Sequence, residues 1–282
     1  MRMCKALLIL AMTASCLTSM AQSESGLLLE AEAEKKLSKK FSVALEADMR
    51  TRNDFKTMDR WSIGIGGEYK PVKYLKLGAG YTLLNTNFRE GISYKADGNY
   101  NNWRPSYWGV RHRFNVSASG TYKFRNNLRI SLRERWQYTY RPEKSVQRWD
   151  FDNSWWEEKV RSSKGKNQLR SRLQVEYDKK RALMTPFASV ELYNSLAIEK
   201  VRYTVGTDLN ISKHHTFSVF YRFQDMHNTS PDDYEPDMHY IGAGYKFDLY
   251  GPVNRPQIKG IPQMQITSVS EINRFIRAIC VR

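Results

Sequence analysis

The sequence predicts an all-β chain: a transmembrane antiparallel up-and-down β-barrel of about ten to twelve strands, with short periplasmic turns and long extracellular loops. Three observations predict it. Apolar and polar residues alternate with period two through most of the chain, as side chains do on the two faces of a strand. The alternating runs are about a dozen residues long, against roughly five or six in ordinary soluble sheets. The connections between them are short at one end and long at the other, the asymmetry of outer-membrane barrels.

The first residues stand apart from this pattern. MRMCKALLILAMTASCLTSMAQ carries a basic start at Arg2 and Lys5, a short apolar run, and Ser19-Met20-Ala21 before Gln22. That is the pattern of a secretory signal peptide over residues 1–21, and its apolar run is too short for a helical membrane span. Cys16 follows Thr13-Ala14-Ser15, which only faintly resembles a lipoprotein box because Thr13 stands where leucine is favoured. With the leader gone, Cys280 is the remaining cysteine and no intrachain disulfide can form. Removing Arg2 and Lys5 lowers the formal charge from +16 to +14. An exported chain does not meet nucleic acid, so this charge points to a lipid surface or an anionic ligand.

The strands follow in order. Residues 27–37 set Leu27, Leu29, Ala31 and Ala33 against Leu28, Glu30, Glu32, Glu34 and Lys36. Ser38-Lys39-Lys40 turns into 41–50, where Phe41, Val43, Leu45, Ala47 and Met49 oppose Ser42, Ala44, Glu46, Asp48 and Arg50. After a connection over 51–58, the hairpin 59–87 sets Trp61, Ile63, Ile65 and Tyr69, then Leu75, Leu77, Ala79, Tyr81 and Leu83, against polar residues and glycines; Pro71 breaks the run. A polar, aromatic loop covers 85–107. Residues 108–124 and 128–141 form the next hairpin, around the tight turn Arg125-Asn126-Asn127. The loop 142–167 is the longest and most charged. Strands over 169–177, a weaker 184–193, 198–211, 216–226 and 238–249 complete the barrel, residues 22–250. About eleven strands are visible. Because bacterial barrels favour even numbers, ten or twelve is the expectation. The tail 251–282 fits no part of the pattern, and Gln263–Val269 is a candidate strand within it.

Alternation alone leaves the direction of the faces open, since a soluble barrel buries its apolar side. The strands are long enough to cross a bilayer, and Gly64, Gly66, Gly78, Gly80, Gly242 and Gly244 lie on the polar face, where a crowded lumen wants small residues. Aromatic residues gather near the ends of the apolar faces, as interfacial girdles do. Together these put the apolar face towards lipid and the chain in the outer membrane of a Gram-negative bacterium. A soluble secreted barrel is the alternative.

Gln22 after the cleavage site, the RTRN at Arg50-Thr51-Arg52-Asn53, DRW at Asp59-Arg60-Trp61, the Tyr- and Arg-rich central strands and the closing HYIGAGYKFDL resemble the outer-membrane β-barrel proteins of Bacteroidota labelled domain of unknown function 2490. The resemblance covers roughly 22–249 and implies a fold and a membrane but no chemistry. Related proteins stop soon after the final aromatic strand, where the assembly machinery reads its signal, and this chain continues for thirty-odd residues.

The most informative cluster is basic. Arg111, Arg113, Arg129, Arg133, Arg135, Arg170 and Arg172 fall on the polar face of three consecutive strands, and Glu30, Glu32, Glu34, Glu46, Asp48 and Glu68 on the same face of the first strands. Two readings follow: a lumen plugged by ion pairs between the two walls, or a water-filled passage with a cationic rail for anions. GIGGEY, GAGYTL and GAGYKF lack the strand-turn-helix context of nucleotide loops, and His112, His214, His215, His227 and His239 lack metal spacing, so no cofactor or metal is expected. An outer-membrane acyl hydrolase would need His112 or His239 beside Ser171 and Glu134, whose strands show no convergence in the sequence. Glu134, a carboxylate in an apolar face, asks for a bulge or a protein contact. The expectation is a non-enzymatic channel-like barrel whose partners are outer-membrane lipid, the barrel-assembly machinery and an unidentified small solute.

Overall fold

The computed structural model describes residues 23–179, 182–227 and 235–249. The proposed signal peptide, the tail 251–282 and the candidate strand within it lie outside the described residues. The chain forms β1 (Ser23–Lys36), β2 (Phe41–Arg52), β3 (Thr57–Val72), β4 (Leu75–Phe88), β5 (Gly91–Tyr94), β6 (Tyr100–Arg104), β7 (Tyr107–Lys123) and β8 (Leu128–Arg141). Then come β9 (Lys144–Asp150), β10 (Trp155–Arg161), β11 (Lys164–Tyr177), β12 (Met184–Asn194), β13 (Ile198–Asn210), β14 (His215–Met226) and β15 (Asp237–Leu249).

Eleven of these close a barrel in the order β1-β15-β14-β13-β12-β11-β8-β7-β4-β3-β2. The odd number corrects the expectation of ten or twelve, and it has a geometric consequence. With strands alternating in direction, the first and last must run the same way, so β1 and β15 meet as a parallel pair from Ser23↔Asp237 to Lys35↔Leu249. Every other wall contact is antiparallel. β1 therefore starts at the rim of the long loops, and β15 ends at the rim of the short turns. The start of β1 is held by side chains of that rim: Arg89 donates both Nη atoms to Glu24, at 2.6 and 2.8 Å, and Glu24 also accepts the Asn53 backbone N–H at 2.9 Å.

The short turns obey local chemistry. Asn127 takes the left-handed conformation (φ 67°), which asparagine tolerates, and Phe124 N–H closes the turn on the Leu128 carbonyl at 2.8 Å. Pro71 has no N–H for the ladder, and the β3/β4 register shifts between Tyr69 and Val72. At the opposite rim the connections 53–56 and 195–197 are also short, so the length asymmetry comes from the stretches 89–106, 142–163 and 227–236. The first two are not plain loops, as the sequence suggests. They build a four-stranded sheet in the order β10-β9-β6-β5.

The faces are unambiguous. Ile63, Ile65, Val116, Leu132 and Leu173 are exposed on the outside (57, 57, 53, 50 and 49 %), whereas Asp48, Arg133, Arg170 and Glu191 line an interior cavity. Aromatic residues form a band near the short turns, where Phe41 stacks on Tyr69, Tyr122 meets Phe124 edge-on, and Phe217 packs on Tyr245. A second band lies towards the other rim, with Tyr81 against Phe114 and Tyr203 against Phe223. Beside the parallel seam, Leu28, Phe220, Met238 and Tyr240 form a small apolar cluster inside the barrel. Gly242 makes room for it: a Cβ there would lie 2.1 Å from the Phe220 ring.

Candidate functional site: the cationic lumen

Inward positions come from the polar half of each alternation, and pairing between neighbouring strands puts them in rows around the wall. One row runs Arg133 on β8, Arg172 on β11, Glu191 on β12, Arg202 on β13 and Gln224 on β14. The pairs Arg133↔Arg172 and Arg135↔Arg170 set like charges directly opposite each other, which is unfavourable unless a carboxylate intervenes. Glu191 does so. Its carboxylate accepts Arg170 at 2.9 and 3.0 Å, Arg133 at 3.1 Å and the Tyr193 hydroxyl at 2.9 Å, with Arg202 at 3.9 Å. The Tyr193 ring is flanked by Arg170 and Arg202, whose guanidinium carbons lie 4.5 and 4.6 Å from its centroid. Gln137 bridges Arg170 to Gln168 at 3.2 and 2.7 Å, and Gln168 donates to Glu199 at 2.6 Å.

The predicted walls are present as rows but do not pair as expected. Among the described residues no salt bridge joins the seven arginines to the six acidic residues of β1–β3. Arg129 pairs with Glu176 and, at 3.3 Å, Asp178 near the short turns; Arg133 and Arg170 pair with Glu191; Arg172 donates to Gln174. Five of the six acidic residues have other partners: Glu30 with Arg222 at 3.1 Å, Glu32 and Glu34 with Lys246 at 2.7 Å each, Glu68 with Lys76 at 2.8 Å, and Asp48 with Arg60 at 3.2 Å and Arg50 at 3.8 Å. The sixth, Glu46, is attracted by Arg135 and Arg133 without a salt bridge among the described residues. Between the walls lies a cavity of about 400 Å³ lined by Glu30, Glu32, Glu46, Asp48, Arg113, Arg133, Arg135, Arg170 and Arg172. Arg129, Glu34 and Glu68 lie below it, and Arg111 above it.

Above, at the long-loop end, is a second cavity of about 1980 Å³. It exceeds the roughly 300–1,000 Å³ of a fitted small-molecule pocket, so we refer to it as a vestibule. The ends of the barrel strands and one face of the β5/β6/β9/β10 sheet enclose it. Ten arginines and four lysines line it against Asp59, Glu90, Glu199 and Glu235, among the described residues. Arg50, Arg60, Arg113, Gln137, Gln168 and Lys200 line both cavities and mark the level at which they meet.

Sequence reasoning missed Glu191, Arg202, Arg222 and Lys200. Their signal was present: Glu191 shares the parity of Thr185 and Ser189 against Val190 and Leu192, but this strand is weakly patterned. On the outer face, Glu134 needs no bulge. Ser171 is its register partner and donates to it at 2.6 Å, so the two strands do converge there. The histidines of that face pair with tyrosines instead, His112 with Tyr81 at 2.8 Å and His239 with Tyr221 at 2.5 Å. Among the described residues no group of three or more His, Cys, Asp or Glu side chains is placed to hold a metal ion.

Comparison with known proteins agrees on the family. The family model described as "Protein of unknown function (DUF2490)" matches residues 25–235. Among solved structures, the β domain of the Bordetella autotransporter BrkA is similar over 74% of this chain and 84% of its own, at 12% identity and a TM-score of 0.47. The translocator domain of the autotransporter NalP from Neisseria meningitidis is similar over 68% and 70%, at 10% identity and a TM-score of 0.44. No curated protein matches.

Proposed function

The chain belongs to the DUF2490 family, and for this member we propose an outer-membrane β-barrel, without enzymatic activity, that admits small anionic solutes from its long-loop side. The outward apolar surface and its two aromatic bands support insertion in a bilayer, and closure leaves no unpaired strand edge in the hydrocarbon. One observation carries the choice of solute: among the described residues, fourteen cationic side chains line the vestibule against four carboxylates. A low-dielectric wall lined by one sign of charge focuses its field into the opening and concentrates counter-ions there. The Glu191 layer lines the smaller cavity below, where Arg170, Arg202 and Tyr193 gather around one carboxylate, and in this reading it limits what passes to small, poorly hydrated or exchangeable anions.

Reconstitution tests this. Lipid vesicles carrying the purified chain should exchange a small anion faster than a cation of similar size, and the difference should shrink at high salt as the Debye length falls below about 8 Å. Equal exchange of both, or none above protein-free vesicles, would contradict the proposal.

A further inference from the structure

We infer that the floor of the vestibule is an oxyanion site, in which Arg111 and Arg113 hold a solute bearing phosphate or sulfate groups. This rests on the reading of the vestibule as a route for anions and adds a ligand class and a place. The two residues alternate on one face of β7, so their backbones are about 7 Å apart and both forks reach the same volume. Among the described residues neither forms a salt bridge; Glu235 and Asp59 are the carboxylates that act on Arg111, and Arg113 has arginines as its charged neighbours. Arg111 donates Nη2 to the Thr86 hydroxyl at 2.8 Å, and Arg113 donates Nε to the Thr139 hydroxyl at 3.3 Å. Hydroxyls satisfy a donor without supplying a counter-charge, and Arg111 Nε is a buried donor with no acceptor among the described residues.

The surroundings keep the site positive. Arg60 stands in register beside Thr86, and Arg60 and Arg50 share the single carboxylate of Asp48. Phe88 lies under Arg111, 5.2 Å from its guanidinium carbon, and fixes the plane of the fork. Planar guanidinium forks donate paired parallel N–H bonds, which match tetrahedral oxyanions better than they match chloride. Arg113 lines both cavities, so a bound oxyanion sits at the threshold of the smaller one. The barrel wall separates this level from lipid, which favours a dissolved solute over a lipid headgroup.

The test is calorimetric titration of the full chain in a neutral detergent with inorganic pyrophosphate, at constant ionic strength. Binding should be seen, with acetate and chloride failing to compete at equal concentration. R111Q combined with R113Q should weaken it about tenfold or more, the loss of at least one charged hydrogen bond. R111K with R113K keeps the charge but loses the forks and should fall between; if the glutamine pair fails to fold, this lysine pair decides. Binding unaltered in either pair would place the ligand elsewhere and overturn the site. Lack of pyrophosphate binding by the unaltered protein, in vesicles that still exchange anions selectively, would overturn the site and leave the passage standing. Binding without anion exchange would overturn the passage and leave the site. A phosphorylated lipid that competes as well as pyrophosphate would overturn the choice of a dissolved solute.

Discussion

Glu191 serves three arginines from one carboxylate, and Arg133↔Arg172 and Arg135↔Arg170 would otherwise be bare like-charge pairs. Removing one partner of a buried ion pair costs more than the pair itself contributes, because the charges left behind stay out of water. Glu191→Ala should therefore lower stability by about 3–5 kcal/mol, read from denaturant unfolding of the barrel in detergent. A change well under 1 kcal/mol would mean that water already compensates these arginines. At this scale the sequence was only half legible. Parity along a strand puts Arg133 and Arg172 on the polar face, but it cannot say which carboxylate they meet, because that depends on register around a curved wall. Five of the six acidic wall residues share the arginines' face and still find Lys246, Arg222, Arg50, Arg60 and Lys76 instead. The reverse holds for Glu134, which breaks the pattern on paper yet needs only the hydroxyl of Ser171 across the ladder.

Strands were the most legible elements, since a dozen residues of strict alternation allow little else. The short strands β5, β6, β9 and β10 were not. Runs such as YNNWR and WWEEKVR carry bulky or charged residues on both faces and read as loop, until two separate connections pair through Trp103↔Trp149. The strand number was misjudged for a different reason. A general preference for even barrels outweighed eleven visible runs, although an odd barrel needs only one parallel pair to close. That seam is testable by cross-linking, with Cys280 replaced to avoid a competing thiol. Leu29→Cys with Ala243→Cys puts two thiols on register partners of the outer face and should form an intramolecular disulfide on mild oxidation. Ala33→Cys with Ala243→Cys, which the parallel register keeps apart, should not. The opposite outcome would mean that β1 and β15 do not meet this way.

At the scale of the whole molecule, the excess of positive charge seen in the composition is not spread evenly. Much of it is gathered at one end of the lumen, while Glu30, Glu32, Glu34 and Glu68 are paired lower down. Composition pointed to a lipid surface or an anionic ligand, but the vestibule itself was out of reach, since it takes the inner face of the loop sheet together with ten barrel strands to enclose it. The central claim is that this field selects anions. Its most direct measurement is the reversal potential of the purified chain in a planar bilayer under a potassium chloride gradient. The account predicts a value displaced towards the equilibrium potential of chloride, moving back towards zero as total salt rises. A value displaced towards the equilibrium potential of potassium would contradict it.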